Sequence, residues 1–200
     1  MDMNVLNNIS YGLYVLTARE GDKDNGCIVN TLQQVTVDPC VVSVTVNKSN
    51  YTHDMMMRTG KFNASMISID TAFDVFEKFG FVSGREVDKF EEWKEAEPSE
   101  NGIYYVTKGV NSYLSGEIFQ TVDLGTHTMF LAKVTAMESI SEDPSLTYAY
   151  YHRHIKPKPK KDEKGGYRCI VCGYVYEGDE LPEDFVCPWC KHGPEDFEKI

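Results

Sequence analysis

GCIVNTLQQVTVDPCVVSVTVNKSNYT, residues 26–52, decides the fold of most of this chain. Its β-branched residues predict strands over 27–34 and 40–46, and the polar Asn-Lys-Ser-Asn that follows leads into a helix beginning at Tyr51. Strands of the same composition are expected over 9–17 and 62–69. Asp-Asn-Gly at 24–26 reads as the turn between the first two strands. Two alternating segments, 113–122 and 128–140, complete the set, with Gly125 between them. Helices are short: 51–59, closed by Gly60, and 71–79, closed by Gly80. Half a dozen strands with small helices at the rim predict a mainly β fold closed as a barrel, since a layered α/β sheet would alternate strand and helix throughout.

The whole chain has 200 residues, 42% apolar and 12% aromatic, enough to bury an ordinary core. No apolar run approaches the ~18 to 20 residues of a membrane span. The start MDMNVLNNIS lacks the basic flank and apolar stretch of a signal peptide, so a cytoplasmic, membrane-free protein is expected. The net charge of −11 argues against nucleic-acid binding, which needs a clustered cationic face. That charge is uneven. Residues 1–151 carry 11 Lys and Arg against 21 Asp and Glu, 152–164 carry 6 against 2, and 165–200 carry 3 against 8. The basic segment, rich in Pro at its start and ending in Gly165-Gly166, is a linker that cannot pack a core and spans up to roughly 30 Å. The organisation expected is a first domain over 1–155, a linker over 156–166 and a small module over 167–200.

Four of the six cysteines fall in that module, in CIVCGYVYEGDELPEDFVCPWC (169–190). Two Cys-x-x-Cys pairs, Cys169 with Cys172 and Cys187 with Cys190, make a tetrahedral four-sulfur site that suits zinc or a single iron; ligand type alone leaves both open. Cys27 and Cys40 stand apart and read as small buried hydrophobes. None of the five histidines has a Glu three residues before it, so the first domain is not a Glu-x-x-His di-iron bundle. Met55, Met56 and Met57 are consecutive on a helix and cannot share one face.

The cysteine hairpins with their surroundings, Gly173-Tyr174-Val-Tyr176, Leu181-Pro-Glu-Asp-Phe185 and Glu195-Asp-Phe197, resemble rubredoxin, the one-iron electron carrier. Gly173 is placed to take the positive φ that turns a knuckle toward the thiolates. Lys191 stands where glycine usually follows the second pair. Residues 26–52, with Phe79-Gly80-Phe-Val-Ser83-Gly84-Arg85 and Gly125-Thr-His127, resemble the flavin reductase-like family of FMN-binding split barrels. Together they imply an FMN-binding split β-barrel followed by a small rubredoxin-like metal-binding domain.

On local chemistry, Ser49 and Thr52 bracket the start of the 51–59 helix, where free N–H groups and the helix dipole favour a phosphate, and Arg85 can add a bidentate charge. Read without the family, Ser49 and Asn50 are caps of a surface helix. The resemblance implies that Asn30, Thr31, Gln34, Val35 and Thr36 run along the isoalloxazine. By the same resemblance Asn47 and Lys48 reach the ribityl chain or phosphate, and Tyr51 and Ser83 complete the FMN set. His127 reads as a structural histidine, and no catalytic residue is assigned.

The pairing of an FMN barrel with a one-iron tail resembles the high-molecular-weight rubredoxins of anaerobes. What it implies is an electron-transfer protein passing electrons between FMN and iron, fed by a reductase donor and donating to a flavo-diiron oxygen or nitric-oxide reductase. Split-barrel relatives imply a homodimer. The alternative is an NAD(P)H-dependent flavin reductase with a structural zinc-ribbon tail.

Overall fold

The computed structural model describes residues 5, 8–156, 165–170, 173–188 and 192–200. Strands β1 (Tyr14–Glu20), β2 (Lys23–Val29), β3 (Gln33–Thr36), β4 (Val41–Asn47) and β5 (Lys61–Ile67) come first, with helix α1 (Tyr51–Thr59) between β4 and β5. Helix α2 (Asp74–Gly80) precedes a small hairpin of β6 (Ala96–Pro98) and β7 (Tyr104–Val106), then the long β8 (Val110–Asp123) and β9 (His127–Ser139). The main antiparallel sheet runs β2-β1-β5-β8-β9-β4-β3. Only residues 30–32 separate β2 from β3, yet these strands are the two edges of the sheet. The sheet must therefore curl until its edges approach, and no ladder joins them among the described residues: the barrel is split.

The strand expected over 27–34 is thus two strands with a crossing between them. The side chain of Thr31 secures that crossing, donating to the Thr45 carbonyl (2.5 Å) and accepting from the Thr45 N–H (3.2 Å). The turn also lies elsewhere than at Asp-Asn-Gly. Glu20 pairs with Lys23, so Gly21 and Asp22 form the two-residue loop, with Gly21 at φ 60°. Asp24 to Gly26 lie inside β2, where each has a packing role. Asp24 pairs with Arg19 at 3.2 Å, Asn25 is buried, and a Cβ at Gly26 would press within 2.9 Å of the Phe79 ring. The first strand begins at Tyr14 and α2 at Asp74, each later than expected. By contrast α1 has the expected bounds, ending on Gly60 in the left-handed region (φ 69°).

Two apolar clusters fill the barrel domain. One holds Leu16, Val44, Phe62 and Phe130, with Met55 and Met56 of α1 packed into it; Met57 faces outward at 51% exposure. The other joins Val15 and Ile67 to Val75, Phe76 and Phe79 of α2 and to Leu146 and Tyr151. Phe130 is fully buried, and its ring stands 5.5 Å edge-on to His53. Phe130→Ala should lower unfolding stability by ~3–5 kcal/mol, the cost of a large cavity in a dense core, read as a shift of the urea midpoint.

The tail is a separate three-stranded sheet in the order β11-β10-β12, from β10 (Tyr167–Cys169), β11 (Val175–Tyr176) and β12 (Phe197–Lys199). Phe185 lies 4.8 Å from the Tyr176 ring and 5.3 Å from that of Phe197. Among the described residues no helix is long and apolar enough to cross a membrane.

Candidate cofactor cavity and cysteine site

β4 ends at Asn47, and the chain turns into α1 over the next three residues. The cap residue Asn50 has extended backbone (φ −70°, ψ 130°) and makes no side-chain cap. Asn47 Oδ1 instead accepts from the Ser49 N–H and from its hydroxyl, both at 2.9 Å. The helix start therefore keeps donors without a capping side chain, and its residues line a cavity of about 340 Å³. Asn47, Ser49, Asn50 and Tyr51 form one wall of that cavity, and Ser83 and Gly84 belong to another. Gly84 approaches so closely that any Cβ there would collide with Asn25 Oδ1.

Two residues in this lining, Lys89 and Asn25, escape a reading of the sequence. Lys89 is 3% exposed and donates to the carbonyls of Gly26 (2.7 Å) and Phe79 (3.2 Å). Burial pushes its pKa down to about 8, while the nearby Cys27 pulls the other way. Asn25 donates to Thr52 Oγ1 at 2.9 Å, and its Oδ1 is buried without a partner among the described residues. In the sequence Lys89 sits among Glu86, Asp88, Glu91 and Glu92 and resembles a solvated charge. Only packing reveals its burial.

Of the residues expected from sequence, Asn47, Ser49, Tyr51 and Ser83 meet in this cavity. Arg85 stands at the same helix start, but its guanidinium holds Asp54 at 2.6 Å and lies 5.0 Å from the Tyr51 ring centre. Arg85 keeps the Asp54 carboxyl below its ordinary pKa, with a smaller contribution from His53. Lys48 pairs with Asp123 at 2.7 Å on the surface, and the buried Thr52 is engaged by Asn25. Thr31 is held by Thr45, and Thr36 donates to the Pro39 carbonyl at 2.5 Å. Val35 is exposed, and Asn30 lies at the crossing between the sheet edges. Gln34 lines a second, more apolar cavity of about 430 Å³ with Leu32, Cys40 and Val42; the two cavities share Leu13. His127 pairs with Asn47 across the β4–β9 ladder, and its ring contacts Thr126 Oγ1 at 2.9 Å.

In the tail, Cys169 and Cys187 are fully buried and pack together with Tyr174 and Phe197. Cys172 and Cys190 lie outside the described residues. Gly173 has φ 85°, and its N–H donates to the Cys169 carbonyl at 2.9 Å, closing a tight turn. Cys169 N–H bonds the Tyr174 carbonyl at 2.8 Å, and Cys187 N–H bonds that of His192 at 2.9 Å. Buried thiols on such hairpins are soft donors that suit a thiophilic ion, and two of them in an otherwise small core fit a metal-organised module. The barrel cavity likewise fits a phosphorylated ligand, because uncapped N–H groups and a buried ammonium both stabilise negative charge.

Residues 6–158 match the flavin reductase like domain, and residues 167–198 match the rubrerythrin, rubredoxin-like domain. The chain is 36% identical to the high molecular weight rubredoxin of Moorella thermoacetica, with all of both chains covered. It is 32% identical to the ferric-chelate reductase (NAD(P)H) of Archaeoglobus fulgidus over 79% of this chain and 93% of that protein. Among solved structures, the FMN-binding protein of Thermus thermophilus superposes with a TM-score of 0.61 at 22% identity, covering 66% of this chain and 72% of that one, a likeness of fold. The chain belongs to the flavin reductase-like family and carries a rubredoxin-like domain after its barrel.

Proposed function

We propose that this chain converts electron pairs into single electrons, holding FMN in the barrel and one iron in the tail. The observation that carries this reading is the presence, on one chain, of an anion-favouring cavity and a buried cysteine hairpin site. FMN bound there supplies two-electron chemistry, and a tetrathiolate iron supplies one-electron chemistry. On this reading residues 1–155 are the flavin domain, 156–166 the linker and 167–200 the metal module. The protein works in the cytoplasm between a reductase donor and a flavo-diiron-type acceptor.

For FMN, the helix start at Ser49 and Tyr51 with Ser83, Lys89 and Arg85 would hold the phosphate, Asn25 Oδ1 would be an acceptor for the ligand, and Leu13 and Gln34 would line the space for the isoalloxazine. Metal analysis with a visible spectrum tests the core of the reading. Protein grown with ample iron should hold about one iron per chain, as four thiolates complete a single site. Its red band should bleach on reduction. Zinc with no reducible band would instead favour an NAD(P)H-dependent flavin reductase whose tail is structural, a role in line with the ferric-chelate reductase that aligns with the barrel.

A charged Lys89 gives a pH dependence whose sign is fixed. The ammonium is present below about 8 and lost as the pH rises through it. FMN affinity should therefore fall above that pH, while riboflavin, lacking the phosphate, should bind with little change. Lys89→Met should remove the difference in slope; parallel pH profiles for both ligands in the unmodified protein would place the phosphate elsewhere. The long β8–β9 hairpin exposes Phe119, Val122 and Leu124, which favours a homodimer, to be checked by light scattering.

A further inference from the structure

Phe81 belongs to two packed clusters at once. It lies against the α2 cluster, its ring 5.9 Å from that of Phe73, and it also packs on Cys169 and Cys187 of the tail. It lines the 340 Å³ cavity beside Val82 and Ser83, and from the tail His192 reaches the same cavity. A neighbouring cleft of about 270 Å³ is formed by Phe73, Glu77, Val82 and Glu86 of the barrel with Pro188 of the tail. Four tail residues, Cys169, Cys187, Pro188 and His192, thus meet the end of α2 and the loop after it, with Phe81 as the wall shared by the cavity and the cysteine site.

We propose that the segment 81–83 is a reversible intramolecular docking site for the tail, which turns the cysteine site toward the cavity. The contact is small and mainly apolar. It also joins two acidic bodies, with 21 Asp and Glu against 11 Lys and Arg in residues 1–151 and 8 against 3 in 165–200. Such a contact is weak between separate molecules. Tethered by a short linker, however, the tail is present at an effective concentration in the ~mM range, so an intrinsic Kd of that order leaves the docked and released forms comparably populated. Two populations suit a carrier. Resting on the proposed function for its redox meaning, the docked tail takes electrons one at a time from a two-electron-reduced flavin in the cavity. With both groups bound, the anionic reduced flavin FMNH− would give one electron to ferric iron on each of two visits, leaving oxidised FMN and releasing one proton to solvent, and each visit would leave the iron ferrous. The released tail hands each electron to a one-electron acceptor protein.

Hydrogen exchange by mass spectrometry on the full-length, zinc-loaded, FMN-free protein tests docking without any redox step. Two barrel substitutions move the contact in opposite directions. Val82→Asp adds a carboxylate beside Glu77 and Glu86 facing an acidic tail, and Val82 is 37% exposed, so the barrel tolerates the change. Glu77→Lys, at an exposed position lining the same cleft, removes one carboxylate and supplies a cation. Tail amides in 192–200 should exchange at least twofold faster in Val82→Asp and slower in Glu77→Lys, although neither substitution lies in the tail. Unchanged tail exchange in both variants would overturn the proposal. In protein loaded with iron and FMN, the first-order rate of internal electron transfer should follow the docked fraction across the same variants. If exchange responds but the iron is never reduced, docking stands and the electron-converter reading fails; if iron is reduced at one rate in all variants, docking at 81–83 is not the route.

Discussion

Cys187→Ser empties the tail of its metal and unfolds it, while the barrel keeps its flavin. Cys187 is fully buried against Cys169, and its backbone N–H closes the second hairpin on His192. On the proposed four-cysteine site, a serine there would offer a hard, protonated oxygen in place of a thiolate and leave three ligands for an ion that prefers four sulfurs. The module around it is only the stretch 165–200, with Tyr174, Tyr176, Phe185 and Phe197 as its described aromatic bulk. A body below roughly 40 residues seldom folds without a metal or disulfides, so loss of the ion is loss of the fold. Metal content should drop from about one per chain to less than roughly a tenth, the ion's binding energy being the module's folding energy. The amide signals of 165–200 should collapse toward random-coil positions. The barrel has its own two clusters, so its thermal transition and FMN content should be unchanged. A variant that retained stoichiometric metal and dispersed tail signals would show that Cys187 is not a ligand.

Cutting the chain between 160 and 165 abolishes most onward electron transfer without disturbing flavin binding. Every described residue lining the cavity except His192 lies in the barrel domain, so truncated protein should keep FMN and whatever reduction by NAD(P)H or a reductase the whole chain shows. On the proposed function, what it should lose is the one-electron exit. Stopped-flow oxidation of pre-reduced protein by a flavo-diiron-type acceptor should slow by at least tenfold. Detached tail added back should restore transfer in proportion to its concentration, reaching the intact rate only as it approaches the ~mM effective concentration of a short tether. Equal rates for whole and truncated protein would mean that the flavin delivers electrons directly, and the flavin-reductase reading would then be the better one.

The sequence by itself determined the features that depend on local chemistry. The bounds of α1, its left-handed Gly60 terminus, the alternation of β4, β8 and β9 and the positive φ of Gly173 each follow from residues within a few positions of one another. The paired cysteines point to a metal for the same reason, since four thiols at fixed short spacing make a ligand set, and the match of residues 167–198 to a rubredoxin-like domain agrees with it. One wall of the cavity was legible too, because the polar turn at 47–50 marks the start of α1.

Only the tertiary structure decided the rest. Asp-Asn-Gly at 24–26 has the composition of a turn, yet Phe79 fills the space over Gly26 and Asn25 is buried against Thr52, so these residues extend β2 and Gly21-Asp22 turns instead. The stretch 27–34 reads as one strand because propensity is blind to a sheet whose two edges must meet. Thr31 bridges to Thr45 and Arg85 pairs with Asp54 at the helix start, partners that no local pattern announces. Lys89 looks like one more surface charge in an acidic run, and its burial arises from contacts with β2 and α2 that lie 63 and 10 residues away. Phe81 is likewise an ordinary apolar residue after a helix until the tail folds back upon it. Local sequence sets what each residue can do; distant partners, which no short window contains, determine which of those capacities is used.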